Sequence, residues 1–176
     1  MHEDDLERLY TRLERRLANV VYRWVWSIDE AQEIVQEAFV RLWRMRARVD
    51  LRTVGPLVYR IALNLASSRR RSKRLRQWVS LEAVRDRASP GRAADESIAD
   101  LEDAARLRAA VEGLPEDLRR VIVMCELSDM SYEEIGRALS IQPGTVGSRR
   151  HRALARLRQA LAEPEVKGDI RARTLV

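Results

Sequence analysis

From Leu6 to Trp24 the apolar residues Leu6, Leu9, Leu13, Leu17, Val20, Val21 and Trp24 recur at steps of three and four, with Glu7, Arg8, Arg12, Glu14 and Arg15 lying around them. That spacing draws one stripe down an α-helix and does not fit the two-residue alternation of a strand. The same period returns in Ile34, Val35, Ala38, Phe39, Leu42 and Trp43, and again in Leu57, Val58, Ile61, Ala62 and Leu65. Strand signals are nearly absent, so the expected fold is all-α: two small helical domains joined by a flexible linker.

Punctuation between the stripes supports this reading. Ser27 with Glu30 three residues on predicts a capping box, Asp50 to Gly55 reads as a loop, and Pro56 suits the first turn of a third helix. That helix runs into "RRRSKRLRQW", after which the pattern dissolves. The stretch "RDRASPGRAADESIA" mixes Pro90, Gly91, serines and charges without a sustained apolar stripe, as a connector does. The expected division is a first domain at 1–84, a linker at 85–100, a second domain at 101–162 and a loose tail at 163–176. In the second domain Leu101, Leu107, Val111 and Leu114 resume the helical signal. Pro115 then opens a helix carrying Leu118, Val121, Ile122 and Cys125, and Ser131 with Glu134 makes a second capping box.

Composition narrows the partners. The 176 residues carry a formal net charge of +6, and of the 33 basic residues only Lys73 and Lys167 are lysines. The pI of about 10.2 makes a polyanion or an anionic surface a natural partner. A GC-rich codon bias also yields arginine, so the clustering says more than the total. The acidic start "MHEDDLERLY" lacks the features of a secretory signal, and no apolar run reaches bilayer-spanning length, so a cytoplasmic protein is expected. Cys125 is the only cysteine and His2 and His151 the only histidines. No metal site, cofactor or catalytic residue is therefore expected, and Cys125, in "VIVMCEL", reads as a buried small hydrophobe. Paired catalytic carboxylates, a phosphate loop and a nucleophile motif are also missing, which argues against an enzyme.

The arginine-rich segment "SYEEIGRALSIQPGTVGSRRHRALARL" has the grammar of a helix-turn-helix: a short capped helix, a tight turn and a second helix packed on the first. Ile135, Ala138, Leu139, Ile141, Val146, Leu154, Leu157 and Leu161 supply its small core. Gln142, Thr145, Ser148, Arg149, Arg152 and Arg156 are left at the N-terminal end or outer face of the second helix, the part that enters a DNA major groove. Arginine's planar fork matches guanine O6 and N7, and Thr, Ser and backbone N–H groups at a helix start suit phosphate oxygens.

A second basic run, Arg69, Arg70, Arg71, Lys73, Arg74 and Arg76, covers nearly every face of its helix end, as a site tracking a phosphate backbone would. Tyr59 and Trp78 nearby offer stacking faces for unpaired bases, and are equally placed to be core residues. On the second helix, Gln32, Glu33, Gln36, Glu37 and Arg41 form a polar face that is either solvated or docks a partner helix.

These segments together resemble a sigma factor of bacterial RNA polymerase, of the small two-domain extracytoplasmic-function (ECF) type in the sigma-seventy family. The resemblance covers roughly residues 5 to 160. "EIVQEAFVRLW" is similar to the family's D-L-V-Q-E-x-F-x-R-L-W segment, "LVYRIALNLA" to W-L-Y-R-I-A-x-N-L, and "LPEDLRRVIVM" with "SYEEIGRALSIQPGTVGSRRHRA" to the fourth conserved region. The resemblance implies a promoter-specificity subunit that binds core RNA polymerase and promoter DNA, as duplex and as melted single strand. It implies docking on the polymerase through Glu33, Gln36, Glu37 and Arg41. It implies upstream-element reading by the second helix of the helix-turn-helix, and melted-strand binding by Tyr59, Arg60, Asn64 and the basic run. The loop Val49 to Gly55 aligns with one that captures a flipped base in relatives, which adds Asp50, Arg52 and Thr53. An anti-sigma factor is implied as a further partner.

The chain departs from the family pattern at four positions. Gly147 stands where Lys or Arg is frequent, Arg150 where Leu is, Leu154 where Arg is, and Leu57 where Trp is. Arg150 shares a helical face with Val146 and Leu154, so it must snorkel or pair with an acid. Two other readings compete: an autonomous helix-turn-helix regulator, and an RNA-binding or structural basic protein. The first leaves "EIVQEAFVRLW" and the basic run unexplained; the second requires the helix-turn-helix to be spurious.

Overall fold

The computed structural model describes residues 1–79 and 98–162, and every regular element among them is helical. α1 spans Glu3–Val25, α2 Ile28–Arg44 and α3 Val54–Val79, with a 3-10 turn at Arg46–Arg48. α4 follows at Ile98–Glu112, α5 at Glu116–Leu127, α6 at Tyr132–Leu139 and α7 at Pro143–Ala162. The predicted linker falls outside the described residues except at its end, where Ile98 already belongs to α4; the predicted tail lies outside them entirely.

α1 and α2 pack largely through the stripes read from the sequence, whereas α3 buries Val58, Tyr59, Ala62, Leu63 and Ala66 and leaves Leu57, Ile61 and Leu65 of its expected stripe partly buried at the edge of the core. Leu17, Val20, Val21, Ile34, Ala38, Leu42, Val58 and Leu63 are buried completely or nearly so. Removing about 25 cal/mol of unfavourable hydration per Å² makes this apolar burial the main stabilising term. Tyr10 of α1 meets Phe39 of α2 edge to face at 4.9 Å between ring centroids.

The two capping boxes differ. At Ser131 both halves form: its Oγ accepts from the Glu134 N–H at 3.2 Å, and the Glu134 carboxylate accepts from the Ser131 N–H at 2.9 Å. At Ser27 only the forward half forms, with Oγ accepting from the Glu30 N–H at 3.3 Å. The Glu30 carboxylate is drawn instead to the ammonium of Lys73 on α3. A full charge is a stronger partner than a neutral amide, so the ion pair wins.

In the second half, α5, α6 and α7 enclose Leu118, Val121, Met124, Ile135, Ala138, Val146 and Ala153. The α6–α7 turn is tight because Ser140 adopts the left-handed conformation at φ 57° and the Ile141 N–H reaches back to the Gly136 carbonyl at 3.0 Å. A Cβ at Gly136 would stand 2.7 Å from the Ile141 carbonyl oxygen, so only glycine fits there.

The halves are not separate. α5 packs on α1, and α6 on α3, so that one apolar core runs through both.

Candidate nucleic-acid interface

α7 presents the expected outer face. Gln142, Ser148, Arg152 and Arg156 are exposed, and Thr145 is half-exposed beside the α6–α7 turn. A shallow groove of about 530 Å³ runs along this turn, bordered by Glu133, Arg137, Gln142 and Thr145. Ser148 returns its hydroxyl to the Thr145 carbonyl at 3.1 Å, and the Gln142 carbonyl accepts from the Thr145 and Val146 N–H groups at 2.9 and 3.2 Å, closing the first turn of α7.

Arg149 is less free than its neighbours. Its Nε lies 3.4 Å from the Asp117 carboxylate of α5, and the side chain is only about a quarter exposed. Arg150 meets the Glu126 carboxylate at 2.9 Å, the pairing required of a charge on that face, and this raises its pKa further. The pair links α5 to α7. Gly147 faces the ring of Tyr132, with ordinary van der Waals room for a Cβ at 3.5 Å.

The polar face of α2 is split between solvent and neighbours. Gln36 and Arg41 are exposed. Glu37 accepts from Arg41 Nε at 2.7 Å, which holds its carboxyl below the ordinary carboxylate range. Glu33 accepts from Arg69 of α3 at 2.8 Å. The polar side of α2 and the basic run are therefore cross-linked at two points, Glu33 with Arg69 and Glu30 with Lys73, a link that neither helix's own pattern reveals.

The predicted strand-binding residues scatter more widely. Arg60, Arg71, Lys73, Arg74 and Arg76 are exposed, Arg69 and Arg70 half-exposed. Asp50, Arg52 and Thr53 are exposed in a turn closed by Asp50 Oδ1 accepting from the Arg52 N–H at 2.9 Å. Tyr59 is fully buried, which removes it from contact with any base in this arrangement. Burial pushes its hydroxyl up to about 12, with Arg16 and Asp129 as the neighbouring charges. Trp78 lies in α3, but its side chain is outside what the structure describes.

The second half covers this face. Arg16 of α1 pairs with Asp129 in the α5–α6 turn, and Met130 sits against Gly55 at the foot of the Asp50 to Gly55 loop. Arg120 donates to Asn64 Oδ1 at 3.3 Å and to Ser67 Oγ at 2.8 Å. Arg119 is fully buried between the halves. Neither Arg119 nor Asp129 stands out in the sequence, because one charge in a polar-looking helix start or turn breaks no period.

Residues 9–76 match the family model for sigma-70 region 2, and residues 104–157 the one for sigma-70 region 4. The ECF RNA polymerase sigma factor SigE of Mycolicibacterium smegmatis is 32% identical over 88% of this chain, which spans 62% of that protein's length. The ECF RNA polymerase sigma-E factor of Escherichia coli K12 is 34% identical over 82% of this chain and 80% of its own length. Among solved structures, the sigma factor RpoE of Bartonella quintana, crystallised with the anti-sigma factor NepR, superposes with a TM-score of 0.68 at 21% identity, over 89% of this chain and 96% of that one. With region 2 in α1 to α3, region 4 in α4 to α7 and that likeness to curated relatives, the chain belongs to the sigma-70 family of RNA polymerase sigma factors, in its ECF group.

Proposed function

We propose that the chain is a dissociable promoter-specificity subunit that carries core RNA polymerase to its start sites and is not itself an enzyme. One observation carries the site assignment: Gln142, just before α7, and Thr145, Ser148 and Arg152 in its N-terminal half lie on one solvent-facing side, while α6, capped at Ser131, packs against that helix from behind. In this reading α7 enters the major groove of the upstream element, with Arg152 on a base edge or phosphate and Thr145 and Ser148 on the backbone. Glu33, Gln36, Glu37 and Arg41 dock on the polymerase. Asp50, Arg52, Thr53, Arg60, Asn64 and the run from Arg69 to Arg76 hold the melted strand.

The melted-strand site cannot work while the halves are closed. Asn64 is held by Arg120, Tyr59 is sealed beneath the Arg16–Asp129 pair, and Met130 stands at the foot of the capture loop. Strand capture therefore requires α5 and α6 to lift from α1 and α3, and polymerase binding supplies the energy by favouring the open form. An anti-sigma factor that binds the closed form would oppose it. Action together with the polymerase places the chain in the cytoplasm, and no helix among the described residues is long and apolar enough to cross a membrane.

The experiment is capture of purified core polymerase by the wild-type chain and by the triple variant E33A/Q36A/E37A. Retention by the wild type and loss in a folded triple variant is the expected result. Equal capture by both would remove α2 from the docking surface.

A further inference from the structure

Between the two halves lies a cleft of about 310 Å³, walled by the end of α1, the start of α2, the second half of α3 and α4. Its volume falls at the lower end of the range for small-molecule sites. Arg70, Lys73 and Arg74 enter from α3 and Arg108 from α4, against the carboxylates of Glu30 and Glu112. Lys73 is matched by Glu30, and Arg108 by Glu112 at 3.3 Å. Among the described residues neither Arg70 nor Arg74 has a carboxylate at ion-pair distance. Burial and the nearby charge of Arg74 both lower the pKa of Arg70, although Glu112 and Glu116 oppose this. Positive charge thus exceeds negative in the cleft, with Arg70 partly withdrawn from solvent and Arg74 at the exposed mouth, an arrangement that an anion sharing the space would stabilise.

The floor of the cleft is unusual in its backbone. Trp26 closes α1 in the left-handed conformation at φ 56° and is buried all the same. A bulky residue held there is strained, and such strain clusters at binding sites. Two guanidiniums approach its indole, Arg23 at 5.4 Å and Arg108 at 5.2 Å from the ring centroid. Trp26 and Glu112 thus both contact Arg108.

We propose that this cleft binds a small phosphate-bearing anion, held by Arg70 and Arg74 from region 2 and Arg108 from region 4. A ligand bridging cations of both halves stabilises the closed form relative to the open one, so its binding opposes promoter engagement. Guanidinium pairs suit phosphate through parallel N–H donors, and a cleft this small, walled by two domains, admits a small molecule but not a duplex. The site does not depend on the promoter reading, because its ligand is expected to bind the free chain.

The test is a titration of the full chain with sodium pyrophosphate and, in a separate arm, inorganic phosphate, at ionic strength matched with potassium chloride. The readouts are tryptophan fluorescence, which Trp24 and Trp26 report from the cleft wall, and the melting temperature. A saturable fluorescence change with an upward melting shift is expected for pyrophosphate, weakened at least about tenfold in R70Q/R74Q and in R108Q. If inorganic phosphate saturates equally well, a single phosphate group is what the site reads; if only pyrophosphate does, it reads a polyphosphate end. R108Q leaves α3 intact, so it decides the matter should the double variant fail to fold. A response that chloride reproduces, that never saturates, or that persists undiminished in R108Q overturns the proposal. So does binding of single-stranded DNA at these cations with no response to either phosphate.

Discussion

Arg119 of α5 donates from Nη2 to the main-chain carbonyls of Arg23 and Trp24, at 2.8 and 3.0 Å, across 96 and 95 residues of sequence. Those carbonyls end α1 and would otherwise lack partners, so region 4 supplies the C-terminal cap of a region 2 helix. The guanidinium also lies 4.4 Å from the Trp24 ring centroid. Its Nε and Nη1 are buried without partners, so the contact is strong in direction but incompletely satisfied. That combination suits an interface that must hold and also release.

Replacing Arg119 tests this directly. R119A is expected to lower stability by about 2 kcal/mol, since two charge-assisted bonds and a stacked contact are lost. Hydrogen exchange should quicken at the end of α1 and in α5 while the interior of α2 keeps its protection. R119M, which keeps much of the volume, should recover part of the stability and not the cap. Unchanged exchange at Arg23 and Trp24 in R119A would mean the bonds do not hold the halves together.

Gly136→Ala is expected to destabilise region 4 by about 2 kcal/mol, because the added carbon would meet the Ile141 carbonyl oxygen at 2.7 Å and that oxygen belongs to the turn's backbone. The α6–α7 angle must then open, so duplex binding should fall further than stability does. Thermal unfolding and promoter-fragment binding of the same sample measure the two effects. Wild-type melting would show that the turn yields without cost.

On the recognition helix, R152A should weaken binding to promoter duplex and reduce the slope of log affinity against log salt by about one. R149A should change the salt slope less, because Asp117 already engages that side chain at 3.4 Å. A fluorescence anisotropy series across salt concentrations separates them. Equal slopes for R152A and wild type would take Arg152 off the phosphate backbone and the base edges alike.

Cys125 is half-buried, and burial pushes its thiol up to about 11. The neutral thiol is therefore the folded form through the physiological range. Alkylation at pH 8 should run about a hundredfold slower than for a free thiol of ordinary pKa, and should accelerate as pH approaches 11. Loss of stability with rising pH begins near the unfolded thiol's pKa of about 8.5 and ends near the folded value. Fast modification at pH 8 would show that the site opens or that its burial is incomplete.

The helices were readable because their stripes obey a period that side-chain burial enforces. Leu9 to Trp24 and Ile34 to Leu42 point inward as that period requires, and Ser131 and Pro143 start α6 and α7 where cap chemistry places them. The exposed face of α7 follows from the same period. What could not be read is everything that joins distant segments. Glu30 abandons its own capping box for Lys73, Arg119 buries itself in the end of α1, and Asp129 meets Arg16. Each is a polar residue in a polar-looking position: the packing of α3 on α2 gives Glu30 its partner, and the packing of region 4 on region 2 gives Arg119 and Asp129 theirs. Tyr59 belongs with them: its side chain is at home on a nucleic-acid face or in a core, and the docked α5–α6 turn decides for the core.

The most direct measurement is transcription on genomic DNA fragments by purified core polymerase, with and without the purified chain. Transcripts starting at discrete positions only when the chain is present, and lost with E33A/Q36A/E37A, are the expected result. Random starts unaffected by the chain, from a preparation free of any bound inhibitor, would contradict its role as a promoter-specificity subunit.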